Sequence, residues 1–208
     1  VYNSSGASYL TRGQRLTQGY IDKLRHMGIQ NIHVGSLNAD VLCPLPEEIL
    51  QEKTRVMAIK RVHDVFRQAS VEGNFDLDSM EKASAAIVND IVARKENLIQ
   101  LTDLRVHDMY TFAHSVNVAM LSAVMGVSRN LSPAELSELT VGALLHDLGK
   151  IKVPETILNK PERLEPEEFA VIRTHPVEGR RYMTEMGLPN ADKLSIVAYQ
   201  HHERMDGT

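Results

Sequence analysis

Apolar residues recur at every third or fourth position along most of the chain beyond Pro46, which is the spacing of one face of an α-helix. The first such stretch, residues 47–70, has apolar residues at Ile49, Val56, Ile59, Val62, Val65 and Phe66. Two further stretches predict helices over residues 78–95 and 106–125, the second ending near Gly126. The chain beyond Pro46 is therefore predicted to be almost entirely helical.

Helix-start signals divide this region further. Ser132 and Glu135 form a capping-box pattern, with Pro133 as the first helical residue between them. Asp78 and Glu81 show the same spacing and predict a second capping box. Further helices are predicted to begin near Pro166, Pro176 and Asn190.

The segment before Pro46 has a mixed pattern. Thr17 can cap a short helix over residues 18–26. A strand is predicted after that helix, at Ile29, Ile32 and Val34. Because prolines then break the chain, the sequence predicts a small α/β unit over residues 1–45 and a helical domain over residues 46–208.

The composition narrows the functional classes. Hydrophobic residues make up 43%, enough for a core, and the net charge of −4 gives no electrostatic support for binding a nucleic-acid polymer. The single cysteine, Cys43, excludes an internal disulfide and a cysteine-based zinc site. A single cysteine fits a reducing compartment best, so a cytoplasmic location is predicted. No apolar run approaches the roughly 18 residues of a membrane span. The absence of an initiator methionine predicts a fragment of a longer protein.

The most specific candidate for a functional site is His146-Asp147-x-Gly149-Lys150, at the end of the helix predicted from Ser132 to His146. A histidine and an aspartate at a helix end can both turn toward one metal ion, and Gly149 permits a tight exit. Lys150 then places a fixed positive charge beside whatever the site binds. The alternative is an ordinary helix end with a histidine and an aspartate on the surface.

Four other histidines could serve as metal ligands, but each also has an interpretation that involves no metal. His114 lies in a helix with an apolar face, where a lone histidine is more often a satisfied core residue. His175 precedes Pro176, which favours extended backbone and suits either a ligand at a helix boundary or an N-cap. His201 and His202 follow an apolar helix, and consecutive helical residues point about 100° apart. Both reach one site only if it lies between those directions, and a polar surface pair is the alternative.

Together these motifs resemble the HD-GYP family, a branch of the HD phosphohydrolases that hydrolyses cyclic di-GMP in bacteria. The resemblance covers about residue 98 to the end, in the family's order and approximate spacing. It comprises His114, His146-Asp147-x-Gly149-Lys150, His175-Pro176-x-x-Gly179 and His201-His202-Glu203-Arg204-x-Asp206-Gly207. The chain stops at Thr208, where the family continues into Gly-Tyr-Pro, so the helical domain is expected to be incomplete at its C-terminus.

The resemblance implies a centre of two metal ions. His114, His146 and Asp147 would hold one ion, together with an aspartate that the family carries beyond the end of this chain. Asp147 would bridge to a second ion, bound by three histidines: His175, His201 and His202. The family favours iron or manganese, and imidazole and carboxylate donors without thiolates agree with those metals. Tyr110 stands where some members have a glutamate for a third metal, which implies two ions here.

The function implied by the resemblance is that of a cyclic di-GMP phosphodiesterase in bacterial signalling. A hydroxide between the two ions would open a 3′–5′ phosphodiester, and Lys150 would contact the phosphate and neutralise its charge. Two alternatives remain open: an HD hydrolase of another nucleotide or phosphoester, and a non-catalytic domain that binds a nucleotide or a partner. The long helices over residues 47–70 and 78–95 could belong to the core or to the seam of a homodimer.

Overall fold

The computed structural model of the protein describes residue 10 and residues 14–26, 49–93 and 111–207. Contacts between Cα atoms divide the chain into a unit of Val1–Glu47 and a unit of Glu48–Thr208. Every regular element within the described ranges is helical, which confirms the predicted mainly α class. The boundary predicted between residues 45 and 46 lies outside the described residues and stays a prediction.

In the first unit the predicted helix is present. α1 spans Gln18–His26, and the side chain of Thr17 accepts a hydrogen bond from the backbone N–H of Tyr20 (3.4 Å). The threonine therefore caps the helix as the sequence indicated. The strand predicted at residues 29–34 lies outside the described residues.

The second unit is a set of packed helices. Its long helices are α2 (Glu52–Glu72), α3 (Leu77–Ala93), α4 (Thr111–Ser128) and α5 (Pro133–Leu144). After α5 come a 3₁₀ turn (Leu148–Lys152), α6 (Glu155–Leu158), α7 (Pro166–Ile172), α8 (His175–Glu185) and α9 (Ala191–Gln200). Within the described residues, no helix is both long and apolar enough to cross a membrane.

The capping box predicted at Asp78 is wrong, although the helix is present. α3 begins at Leu77, because Asp76 is the residue that caps it: Asp76 Oδ1 accepts from the backbone N–H of Asp78 (3.1 Å). Asp78 therefore lies inside the first turn, where it pairs with Lys82. Leu77 packs against the core as part of the helix.

The capping box at Ser132 is confirmed. Ser132 Oγ accepts from the backbone N–H of Glu135 (3.3 Å), and Glu135 Oε2 accepts from the backbone N–H of Ser132 (2.9 Å). The helix ends earlier than predicted, at Leu144, because the chain tightens there: the N–H of Leu145 is shared between two carbonyls. His146 consequently lies in a turn rather than in α5.

Gly126 does not end α4, which continues to Ser128. A Cβ on Gly126 would lie 2.6 Å from Leu136 Cδ1. The glycine therefore lies where leucine side chains of the following segment pack closely on α4, rather than at the helix end.

α5 is the central helix of this unit. It packs against α3, α4 and α9, while α8 packs against α9 and the 3₁₀ turn. The fully buried side chains between these helices include Met120, Leu144, Leu148 and Met183. The C-terminal end of α5 is thereby held against α4 and α9, and the 3₁₀ turn that follows it against α8. α4, α8 and α9 carry or directly precede the other candidate ligands.

Candidate metal centre

Asp147 lies at the centre of the candidate site, in the turn between α5 and the 3₁₀ segment, with 2% of its surface exposed. Its Oδ2 atom is 3.3 Å from His146 Nε2 and 2.7 Å from Lys150 Nζ. Its Oδ1 atom is 3.4 Å from His175 Nε2 and 3.8 Å from His201 Nε2. The two carboxylate oxygens therefore face two different sets of partners.

The structure brings all six predicted ligand residues together, in two groups. In each group, one ligand atom from every residue lies within 4.8 Å of those of the others. The first group consists of His114, His146 and Asp147. The second group consists of His175, His201 and His202. Contacts between rings join the two groups, since the His146 and His201 ring centroids are 4.9 Å apart.

The six candidate ligands differ in their exposure to solvent. His146, Asp147 and His175 are buried, and His201 is half-buried. His114 and His202 are exposed, one in each group. Each group therefore has one ligand that solvent reaches directly.

Three of the imidazoles are oriented by the backbone in the same way. Each Nδ1 lies 2.7–2.8 Å from the carbonyl oxygen three residues earlier, so an N–H at Nδ1 donates to that oxygen. The three histidines are His146, His175 and His201, and their acceptors are Ala143, Ile172 and Ala198. These carbonyls belong to the last turns of α5, α7 and α9, where helical carbonyls lack an intrahelical partner.

This orientation leaves the Nε2 atoms as acceptors that face one another. Nε2 of His175 and Nε2 of His201 are 3.1 Å apart, with a carboxylate oxygen of Asp147 beside both. Electron pairs held this close repel unless a positive charge lies among them. Nitrogen and oxygen donors with imidazoles fixed through Nδ1 are the usual surroundings of a divalent metal ion, and the residues therefore fit one.

The carboxylate is favoured in its charged form. Burial raises the pKa of Asp147, but the hydrogen bond and charge that His146 supplies when it is protonated, together with the ion pair with Lys150, outweigh it. The pKa of Asp147 consequently lies below its ordinary value. An ionised aspartate is the form that binds a metal.

Three of the imidazoles, those of His114, His175 and His201, are favoured in their neutral form. Burial lowers the pKa of His201 to about 4; the charges of His146 and His202 add to this effect, and the Ala198 carbonyl opposes it. Burial also lowers the pKa of His114 and of His175. Neutral imidazoles are the form that binds a metal, so the site is prepared for one near neutral pH.

Two of the sequence expectations about local structure are wrong. Gly149 was expected to permit a tight exit from a helix, but its φ is not in the left-handed region. It is needed because the 3₁₀ turn touches α8: a Cβ at Gly149 would lie 2.5 Å from the backbone nitrogen of Gly179. His175 was expected to be extended before Pro176, but it is the first residue of α8.

Two features of the site were not foreseen. The carbonyls that orient the imidazoles leave no trace in residue identity, so the sequence could not reveal them. The ion pair of Lys150 with Asp147 (2.7 Å) had a signal, since residues three apart share a face in helical geometry. The sequence assigned Lys150 to substrate phosphate alone.

Comparison with known proteins agrees with this arrangement. Residues 111–208 match the family model described as HD domain. A cyclic di-GMP phosphodiesterase of Pseudomonas aeruginosa is 31% identical over 172 residues, covering 79% of this chain and 41% of that protein. A cyclic di-GMP phosphodiesterase of Thermotoga maritima is 36% identical over 113 residues, covering 54% and 30%.

A third relative carries another name. The 3′3′-cGAMP-specific phosphodiesterase 1 of Vibrio cholerae is 35% identical over 102 residues, covering 48% of this chain and 22% of that protein. The chain thus spans less than half the length of each of these three relatives. Comparison with solved structures gives no significant match.

The segment that matches the HD domain contains all six residues of the two groups, together with Lys150. Divalent metal binding is implied by that family, and the donor set of this site fits it. Residues 111–208 therefore form an HD domain, and the similarity to the two cyclic di-GMP phosphodiesterases supports its place in the HD-GYP branch of that family.

Proposed function

We propose that the protein is a metal-dependent phosphodiesterase that hydrolyses cyclic di-GMP to the linear dinucleotide. The observation that carries this proposal is the pair of ligand groups at one buried carboxylate, Asp147, with imidazoles of both groups within 4 Å of its oxygens. The names of the relatives from Pseudomonas aeruginosa and Thermotoga maritima support cyclic di-GMP as the substrate.

The proposed cofactor is a pair of divalent ions, iron or manganese. One would be held by His114, His146 and Asp147, and a second by three histidines: His175, His201 and His202. The placement of Oδ2 toward His146 and of Oδ1 toward His175 supports Asp147 as the residue shared between them. When bound, such a pair supplies Lewis acidity that activates water at neutral pH and neutralises phosphate oxygens.

The chain's own residues would prepare the reaction in three ways. Asp147 keeps its negative charge inside the protein, where electrostatic interactions are stronger than in water. Lys150 has 25% of its side chain exposed and can present its ammonium group to a phosphate oxygen. The exposed His114 and His202 would be the ligands within direct reach of a phosphodiester from solvent.

A second candidate substrate is another cyclic dinucleotide. The similarity to the 3′3′-cGAMP-specific phosphodiesterase of Vibrio cholerae favours it. The ligand groups would contact the phosphodiester in either case, so the same site serves both substrates. Discrimination between them depends on contacts to the bases.

The test is to load the protein with Mn²⁺ or Fe²⁺ and to measure hydrolysis of cyclic di-GMP and 3′3′-cGAMP side by side. We expect the linear dinucleotide from cyclic di-GMP, with Asp147→Asn as the inactive control. Preferential cleavage of 3′3′-cGAMP would move the assignment to the second candidate. Binding of cyclic di-GMP without cleavage by the metal-loaded protein would replace the enzyme by a binding domain.

Two further expectations stay proposals. A cytoplasmic location agrees with the single Cys43, because free thiols are stable in a reducing compartment. A homodimer has no support among the described residues, and light scattering of the purified protein tests it.

A further inference from the structure

Lys150 occupies a particular place in the candidate centre. Its Nζ lies 2.7 Å from Oδ2 of Asp147, the oxygen that also faces His146 Nε2 at 3.3 Å. The other oxygen, Oδ1, faces His175 and His201. The lysine therefore lies on the side of the group formed by His114, His146 and Asp147.

A lysine in this place has an electrostatic consequence for that group. An ion held by Asp147 Oδ2 and His146 Nε2 would share its carboxylate oxygen with the ammonium group of Lys150. The ammonium draws electron density from the oxygen and repels a second cation nearby, and the repulsion is strong in a poorly solvated site. Asp147 has only 2% of its side chain exposed, so water screens this repulsion weakly.

The group formed by His175, His201 and His202 is in a different situation. Its carboxylate neighbour is Oδ1, whereas the lysine is paired with Oδ2. His175 and His201 are already oriented through their Nδ1 atoms. The charge of the lysine also acts on His175, but its direct ion pair is with the carboxylate oxygen of the first group.

We propose that Lys150 weakens divalent-cation binding by the His114–His146–Asp147 group and so keeps the ion in that group exchangeable. This inference rests on the proposed metal centre. It gives Lys150 a role toward the metal, through Asp147, in addition to the proposed contact with the substrate phosphate.

The experiment is a titration of chelator-stripped protein with Mn²⁺ against a competing fluorescent indicator. Wild type, Lys150→Met and Lys152→Met are compared. Lys152→Met is the matched control, because it removes the same charge from the same 3₁₀ turn. The Nζ atom of Lys152 lies over the ring of Tyr182, 5.5 Å from its centroid, and not at Asp147. We expect Lys150→Met to tighten one class of sites on the order of tenfold and Lys152→Met to match wild type.

A second set of variants assigns the affected class. Adding His114→Asn to Lys150→Met should abolish the class that Lys150→Met tightened, and Lys150→Arg should restore the wild-type affinity. A gain in affinity cannot arise from lost structural support, so it separates this role from a structural one. Thermal melts without metal confirm that each variant is folded, and Lys150→Gln replaces the methionine variant if that variant fails to fold.

The outcomes separate the inference from the proposed function. Two classes of Mn²⁺ sites that Lys150→Met leaves unchanged or weakens would overturn the inference alone. A folded wild type that binds no Mn²⁺ would overturn the metal centre and the inference with it. Loss of hydrolysis together with tighter Mn²⁺ binding in Lys150→Met supports both.

Discussion

A side chain on Gly149 would collide with the backbone of His175: its Cβ would lie 1.9 Å from the His175 carbonyl oxygen. No ordinary contact is that short, so one of the two segments would have to move. Gly149 is two residues from Asp147, and His175 is a candidate ligand. The distance between the two sides of the centre therefore depends on the absence of a side chain at position 149.

The first prediction follows from this contact. Gly149→Ala should reduce the free energy of unfolding by about 3 kcal/mol or more, since a clash with backbone cannot be relieved by a side-chain rotation. Urea denaturation in the presence of chelator measures it. Gly19→Ala is the control, because a Cβ there meets nothing within 4 Å. A stable Gly149→Ala protein that binds metal normally would contradict the argument.

The second prediction concerns the shared carboxylate. Asp147→Asn keeps the shape of the side chain but removes its charge, so bound metal and hydrolysis of cyclic di-GMP should both be lost. Lys150→Ala should retain metal and lower kcat by about 10²–10³-fold, the effect of losing one electrostatic stabiliser. Turnover and metal content are measured on the same preparations. Retained metal and rate in Asp147→Asn would rule out the bridging role.

The third prediction concerns pH. The pKa of His201 in the folded protein is about 4, below the ordinary value of 6.5, so the unfolded chain binds more protons between these values. The stability of the metal-free protein should therefore be full above pH 6.5 and decrease as the pH falls toward 4. Urea denaturation at several pH values, in the presence of chelator, measures the slope of unfolding free energy against pH. His201→Asn should flatten it, and an equal slope in that variant would assign the effect to other groups.

The fourth prediction concerns metal removal. Ligands from four separate segments would be tied together by the ions, so metal should stabilise the folded state. At a free concentration 100 times the dissociation constant, one site adds about 2.7 kcal/mol. Chelator should accordingly lower Tm. A double variant, Asp147→Asn with His201→Asn, should show no change of Tm with chelator. A wild-type Tm that stays the same after verified removal of the metal would count against the prediction.

Local signals predicted helices better than their ends. The capping box at Ser132 was predictable because all its atoms come from four consecutive residues. The box expected at Asp78 was not formed, since Asp76 competes for the same role two residues earlier and sequence alone does not rank the two. The end of α5 was also misplaced, because the turn after Leu144 depends on packing against other helices.

The candidate site shows the same division. The residues with metal-binding side chains could be nominated from their motifs, since their types and spacing are visible in the chain. The role of Gly149 could not be predicted from the sequence, because it depends on contact with α8, which begins 26 residues later at His175. The role of Lys150 toward Asp147 required the distance between their charged atoms.

The backbone carbonyls that hold His146, His175 and His201 have a consequence for how this centre tolerates change. Every amino acid carries the same carbonyl, so exchanging the side chains at positions 143, 172 and 198 leaves the acceptor in place. The hydrogen bonds to the imidazoles therefore do not depend on residue type, although the full burial of Ala143 and Ala198 restricts those two positions to small side chains. A change in helix length would act on the hydrogen bonds directly, since an inserted or deleted residue in the last turn of α5, α7 or α9 would rotate an imidazole away from its companions.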